Sequence, residues 1–234
     1  GHKDVVQMLL ENSKIDLKAR DNRRYTAFMI ACERGHKDVV QLILNNSGRI
    51  ELNARKNNGW TAFILACQKG HKDVVKLLLD HSERIDLNTR DIDGDTAFIL
   101  ACKYEENIDV VKLLLNHPET IELNVRTNDG STAFMWACIK GHKDIVQLLL
   151  GHSNRIDLNA RDNYGDTAFT LACNNGHKDV VQFLLENSNI DLPYLLELWP
   201  LLELWPMTPN ARATAHQRMP VGRCGVALLV FPKN

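Results

Sequence analysis

The sequence predicts an all-α solenoid of stacked helix-turn-helix units joined by short turn fingers. Three observations predict it. A Thr-Ala-Phe triplet returns at Thr26, Thr61, Thr96, Thr132 and Thr167, in steps of 35, 35, 36 and 35 residues. A second marker, Gly-His-Lys-Asp, begins at Gly1, Gly35, Gly70, Gly141 and Gly176. Between the markers, short apolar runs alternate with polar stretches rich in Asp, Asn and Gly. A fixed period of this length marks a repeat architecture, in which each unit buries its apolar face only against its neighbours. The step of 36 has a visible cause, since ACKYEENIDVV (101–111) carries one residue more than ACERGHKDVV (31–40).

Within the copy that opens at Thr61, TAFILAC reads as a first helix. The Thr hydroxyl accepts from a free amide of the opening turn. Gly70 stops that helix and turns the chain. HKDVVKLLL then restarts it, with Asp73 in the first turn where the helix dipole favours an anion. Val75, Leu77, Leu78 and Leu79 give this second helix a broad apolar face. The polar stretch HSERIDLNTRDIDGD follows, and its Asp-Gly suits a tight turn. Helices this short are unstable alone, so stacking must supply their stability.

The pattern TAFxxACxxGHKDVVxLLL, preceded by DxxGx, resembles the ankyrin repeat, whose hallmark is T-P-L-H-x-A in a unit of about 33 residues. The resemblance covers residues 1–192 and implies a module that binds proteins rather than an enzyme. Ala27, Ala62, Ala97, Ala133 and Ala168 stand where the hallmark has Pro, and Phe28, Phe63, Phe98, Phe134 and Phe169 where it has Leu. Its His becomes Met29, Ile64, Ile99, Met135 or Thr170. The polar bond of that His is therefore expected to be missing, with apolar packing in its place.

Residues 1–192 are read as a repeat domain: a half repeat and five copies, the last truncated. Residues 193–234 form an irregular tail containing Leu, Trp and Pro, expected to be disordered or laid over the last repeat. In it LLELWP occurs twice in succession, and Pro193, Pro200, Pro206 and Pro209 forbid one continuous helix. The 28 Lys and Arg balance 29 Asp and Glu, so no global field draws the protein to nucleic acid or an anionic membrane. No apolar run approaches the roughly 20 residues of a membrane span. The sequence opens GHKDVVQMLL, without Met and without a charged-then-apolar leader. It is expected to be a fragment of an intracellular, cytoplasmic protein, and monomeric.

Repeated reactive residues have bland readings. Cys32, Cys67, Cys102, Cys138 and Cys173 share one register position. Stacked helices lie about 8–10 Å apart, too far for bridges that need α-carbons within about 4.4–6.8 Å. These cysteines are expected to be small core residues. Each lacks a second thiol at ligand spacing, and no HExxH or phosphate-cradling glycine loop occurs, so no metal or cofactor is expected. The histidines of the second marker are read as structural, because Gly70 and its equivalents separate each from the preceding Cys.

Positions that differ between copies are free of packing duty, and there a partner protein of unknown identity is expected to bind. Just before each triplet stand Tyr25, Trp60, Asp95, Ser131 and Asp166; two residues earlier stand Arg23, Asn58, Asp93, Asp129 and Tyr164. After each Ala-Cys, Arg34, Lys69 and Tyr104 belong to the same set. The resemblance implies that turn tips and first helices meet the partner, and they are expected to form an exposed concave face, aromatic and basic towards its N-terminal half and acidic towards its C-terminal half. Tyr, Trp and Arg are the residue types that anchor interfaces. Trp136 is read instead as a core residue overfilling one layer. The alternative function is a rigid spacer within a larger polypeptide, which near-identity of the copies favours.

Overall fold

The computed structural model describes residues 1–12, 14–187, 190 and 208–217. They hold twelve α-helices and no strand. The half repeat contributes α1 (Lys3–Glu11). Each full copy then supplies a first and a second helix. The first helices are α2 (Ala27–Glu33), α4 (Ala62–Gln68), α6 (Ala97–Cys102), α8 (Ala133–Lys140) and α10 (Ala168–Asn174). The second helices are α3 (Lys37–Asn45), α5 (Lys72–Leu79), α7 (Ile108–Leu115), α9 (Lys143–Leu150) and α11 (Lys178–Leu185). First helices pack in one row, α2 to α10, and second helices in another, α1 to α11. The last helix, α12 (Pro209–Gln217), packs on α11.

Local chemistry sets each first helix. The hydroxyls of Thr26, Thr61, Thr96, Thr132 and Thr167 accept from the amide three residues on, at 3.2–3.4 Å. The five Phe of the triplets are almost wholly buried, and so are the five cysteines in their column, all unbridged. Burial raises every one of these thiols above its ordinary value, Cys173 to about 12. Ile and Leu of the IDLN stretches, such as Ile85 and Leu87, close the core beneath the fingers.

Each finger is a five-residue turn. In the third, Asp91 N–H donates to Asp95 O at 2.9 Å and Gly94 N–H to Asp91 O at 3.2 Å. Gly94 has φ +81, and a Cβ there would stand 2.9 Å from the Asn128 amide of the next finger. Glycine thus serves both backbone conformation and close stacking. The first finger has Arg24 at this position, with φ 63.

Three ladders of polar bonds, each repeated from copy to copy, join neighbouring repeats. Arg20 Nη1 donates to Arg55 O at 3.4 Å, Arg55 Nη2 to Arg90 O at 2.5 Å, Arg90 Nη2 to Arg126 O at 2.6 Å, and Arg126 to Arg161 O. Asn53, Asn88 and Asn124 each give one bond to, and take one from, the backbone of the following repeat, at 2.8–3.1 Å. His71, His142 and His177 donate Nε2–H to the carbonyls of Glu33, Lys103 and Ile139 at 2.6–2.9 Å. The structural reading of these histidines holds, and the bond now gives its content.

Two expectations change. A polar bond from the position of the hallmark His is present in two repeats: Thr170 Oγ1 accepts from Thr167 N–H at 2.8 Å and Met135 Sδ from Thr132 N–H at 3.4 Å. Thr170 is polar and short enough to close the opening turn, which Ile64 and Ile99 are not. Pro209–Gln217, read as part of an irregular polar segment, is helical. Proline suits the first helical position, and Thr208 Oγ1 donates to Glu186 Oε1 of the last repeat at 3.0 Å. The paired LLELWP hexamers and residues 218–234 lie outside the described residues.

Two stability predictions follow from this architecture. A left-handed non-glycine residue costs about 1–2 kcal/mol, and glycine returns about 0.4–1 kcal/mol through the unfolded chain. Arg24→Gly is expected to raise stability by about 0.5–1 kcal/mol in thermal melting. The raised thiols stabilise the fold fully below their ordinary value of 9.0, and that contribution is lost as pH climbs towards the folded values. Above pH 9.0 each buried thiol is expected to cost about 1.4 kcal/mol per pH unit, so melting of Cys102→Ala should show a shallower alkaline decline than the parent.

Candidate interaction surface

The site builds on a contact made in the first and third copies, where the residue before the triplet Thr meets the residue after the Cys, eight positions on. In the first copy Tyr25 Oη donates to Glu33 Oε1 at 3.2 Å, and in the third Lys103 Nζ lies 2.5 Å from Asp95 Oδ2. The finger's last residue is therefore turned inward, against the end of its own first helix.

Around Tyr25 a relay of side-chain contacts spans three repeats. Lys56 stands where the other fingers have Asp21, Asp91, Thr127 and Asp162. Asp91 Oδ1 there accepts the amides of Asp93 and Asp95 at 2.9 and 2.8 Å, fixing the turn. A lysine accepts nothing, so in the second finger Asn58 Oδ1 takes the Trp60 amide at 3.3 Å. The freed ammonium donates to Tyr25 Oη at 3.0 Å and stands 4.8 and 4.5 Å from the Tyr25 and Trp60 ring centroids. Trp60 Nε1–H then donates to Asp91 Oδ2 at 2.8 Å. Both aromatics are half-buried and their polar edges are engaged.

The second cluster joins the third and fourth repeats. Asp95 is only 4% exposed, yet its Oδ1 has no partner. Lys103 Nζ lies over the Trp136 ring, 3.8 Å from its centroid, and the Trp136 indole N–H is buried without an acceptor. Asp93, Asp95, Lys103, Thr127, Asp129 and Trp136 line a cavity of about 330 Å³. Burial raises the Asp95 carboxyl; the bond and charge of Lys103 oppose this, while Asp91 and Asp93 add to it. Burial acts the same way on Asp129, but hydrogen bonds from Thr127 and Ser131 outweigh it and hold that carboxyl below its ordinary value.

Among the described residues, Asp91, Asp93 and Asp95 are the one acidic group close enough to share a cation. Their oxygens are largely spoken for: Asp91 by two amides and the Trp60 indole, Asp95 Oδ2 by Lys103. The positive charge there is an ammonium of the protein itself.

A family model of three-copy ankyrin repeats matches residues 48–127 and 98–194, and a model of many-copy ankyrin repeats matches residues 9–66. The chain belongs to the ankyrin-repeat family. Ankyrin repeats are generally protein–protein interaction modules and typically non-enzymatic. A search of curated proteins finds no match to it. Among the described residues no helix is long and apolar enough to cross a membrane.

On this ankyrin stack the residues picked out from sequence fall into two groups. Arg23, Arg34, Lys69, Asp93, Tyr104 and Asp129 are exposed, and Tyr164 is 82% exposed at its finger tip. Tyr25, Asn58, Trp60 and Asp166 are half-buried, and Asp95 is buried. The expected exposure of the column before the triplet is thus corrected, because that column packs on the helix end. Sequence reading missed Lys56, whose signal was a base among fingers that otherwise hold Asp or Thr. It also missed the tie of Lys103 to Trp136, which packs against the core with a face covered by lysine rather than filling a core layer.

The Asp95–Lys103 pair yields a stability prediction. Lys103→Met leaves a buried carboxylate without its cation and is expected to cost about 3–5 kcal/mol in urea unfolding. Adding Asp95→Asn should recover part of the loss, because the stranded charge goes with it.

Proposed function

We propose that the protein binds a partner protein through the concave face formed by its turn tips and first helices. One observation carries this reading. Residues the repeats share make the three inter-repeat ladders, whereas the varied Arg23, Arg34, Lys69, Asp93, Tyr104, Asp129 and Tyr164 remain exposed along successive fingers and helix ends. Ladders that fix finger to finger lower the ordering cost of those side chains on binding. The binding unit is residues 1–192, with 193–234 a tail outside the repeats, of which Pro209–Gln217 packs on α11. Its site of action is the cytoplasm, as a monomer; unbridged thiols suit a reducing compartment. The continuous arginine ladder also favours a second reading, a stiff spacer in which length matters more than any contact.

The test is a crosslinking pull-down from source cells with the whole protein, beside a variant carrying Asp93→Ala, Tyr104→Ala, Asp129→Ala and Tyr164→Ala. The parent is expected to capture a partner that the variant loses by about tenfold or more. Equal capture by both overturns the proposed face, and an empty pull-down favours the spacer. Because Tyr25 and Trp60 hold Lys56, Tyr25→Ala with Trp60→Ala is expected to lower stability by about 2 kcal/mol as well as capture.

A further inference from the structure

We infer that the first two fingers, with the adjoining ends of α2 and α4, take an acidic segment of the partner protein. The inference rests on the interaction reading and names the chemistry that one end of that face would meet. Arg23, Arg24, Arg34 and Lys69 are exposed there, and Lys56 is half-buried. Among the described residues none of the five forms an ion pair, whereas Arg20, Lys72, Lys103 and Lys112 each lie 2.5–3.9 Å from a carboxylate. The cations gather about one aromatic pair. Lys56 joins Tyr25 to Trp60, Arg23 and Arg24 lead into Tyr25, and Arg34 and Lys69 cap the C-terminal ends of the packed helices α2 and α4. The acids of the first repeat take other donors. Asp21 Oδ1 accepts the amides of Arg23 and Tyr25 at 2.9 and 2.7 Å, and Glu33 Oε1 accepts the Tyr25 hydroxyl at 3.2 Å.

A second observation is that two of these cations stand where the repeat itself calls for another residue. Arg24 occupies the left-handed position, φ 63, that Gly59, Gly94, Gly130 and Gly165 fill in the other fingers. Glycine or asparagine takes that backbone with little strain, so a tip serving solvent alone has no use for arginine. Lys56 replaces the residue whose side chain fixes the turn in the third finger. Both departures work against the fold, and both set a cation on adjacent fingers; a local rule broken at such a cost marks function rather than packing. Guanidinium groups fork onto carboxylates, which selects an acidic ligand. Stacked units lie about 8–10 Å apart, the reach of about three residues of extended chain, so carboxylates at that spacing meet both fingers. The patch stops at Trp60, whose indole N–H bonds Asp91, with exposed Asp93 beyond. A long polyanion such as a nucleic acid would run into those carboxylates, whereas a short acidic segment ends with the patch.

The test titrates fluorescein-labelled hexaglutamate with the whole protein in about 50 mM salt and reads fluorescence anisotropy. Saturable binding is expected, about tenfold weaker in about 0.3 M salt and at least about tenfold weaker for hexaglutamine. The deciding variant is Arg24→Gly. It is expected to melt higher than the parent yet bind hexaglutamate about threefold more weakly, a combination that a merely structural arginine does not give. Arg23→Gln, Arg24→Gly and Arg34→Gln together should weaken binding by about tenfold or more. No saturable binding, equal binding of hexaglutamine, or unchanged affinity in either variant overturns the acidic-segment assignment. A twenty-nucleotide single-stranded DNA is expected to bind more weakly than hexaglutamate; tighter binding overturns the assignment in favour of nucleic acid. That failure is separable from failure of the interaction reading. A partner captured by the parent, and equally by the triple variant, sinks the acidic segment and leaves partner binding standing.

Discussion

Every level of this structure depends on one constraint: a polar group of one repeat must reach the backbone of the repeat beside it. First and second helices of six to nine residues lack the length to stand alone. Their apolar faces find cover only across the stack, and dispersion and hydrophobic burial are non-directional. Burial alone would let neighbouring repeats slide. The Arg, Asn and His ladders remove that freedom, since each joins one register position to a fixed backbone position in an adjacent unit. The 35-residue period is thus a physical spacing as well as a sequence pattern, with donors and carbonyls meeting only when units align.

The third copy shows that geometry, not residue identity, is what the stack demands. It lacks the second marker and its turn glycine, and carries an additional residue. Glu105–Asn107 form a 3₁₀ turn in place of the glycine bend, and Asn107 arrives where a histidine stands elsewhere. Its Nδ2 donates to Gln68 O at 3.1 Å, the same bond His71 makes to Glu33 O at 2.7 Å. The inserted residue is absorbed in the turn, and the ladder continues through it.

This explains how far the sequence was legible. Period, helix starts and the cysteine column are properties of one repeat read many times, so spacing and composition reveal them. The threonine caps are local, formed between residues three apart, and needed no tertiary knowledge. The arginine ladder is invisible at that level, because Arg55 looks like a solvated turn residue until the next carbonyl is in place. Asp95 misled for a related reason. A carboxylate beside a turn reads as exposed, and only the folded repeat brings Lys103 against it. Variation between copies was taken as freedom from packing, yet Tyr25 with Glu33 and Asp95 with Lys103 are packing pairs that change together.

Paired variation alters how such a surface specifies a partner. If each finger varied independently, any one tip could be exchanged without consequence for its repeat. Here Tyr25 and Asp95, just before their triplets, are bonded inward to the end of their own first helix, while two positions earlier Arg23, Asp93, Asp129 and Tyr164 are exposed and Asn58 is half-buried. Lys56 couples the units further by tying the Tyr25 repeat to the Trp60 repeat. Substitution at an inner position therefore disturbs both the stack and its neighbours' tips, whereas Asp93 and Tyr164 are exposed at their tips; Asp129, though exposed, is bonded to Thr127 and Ser131 of its own finger. The inner column thus supplies fixed charges and contacts within and between units, while Arg23, Asp93 and Tyr164 of the outer column stand clear of them.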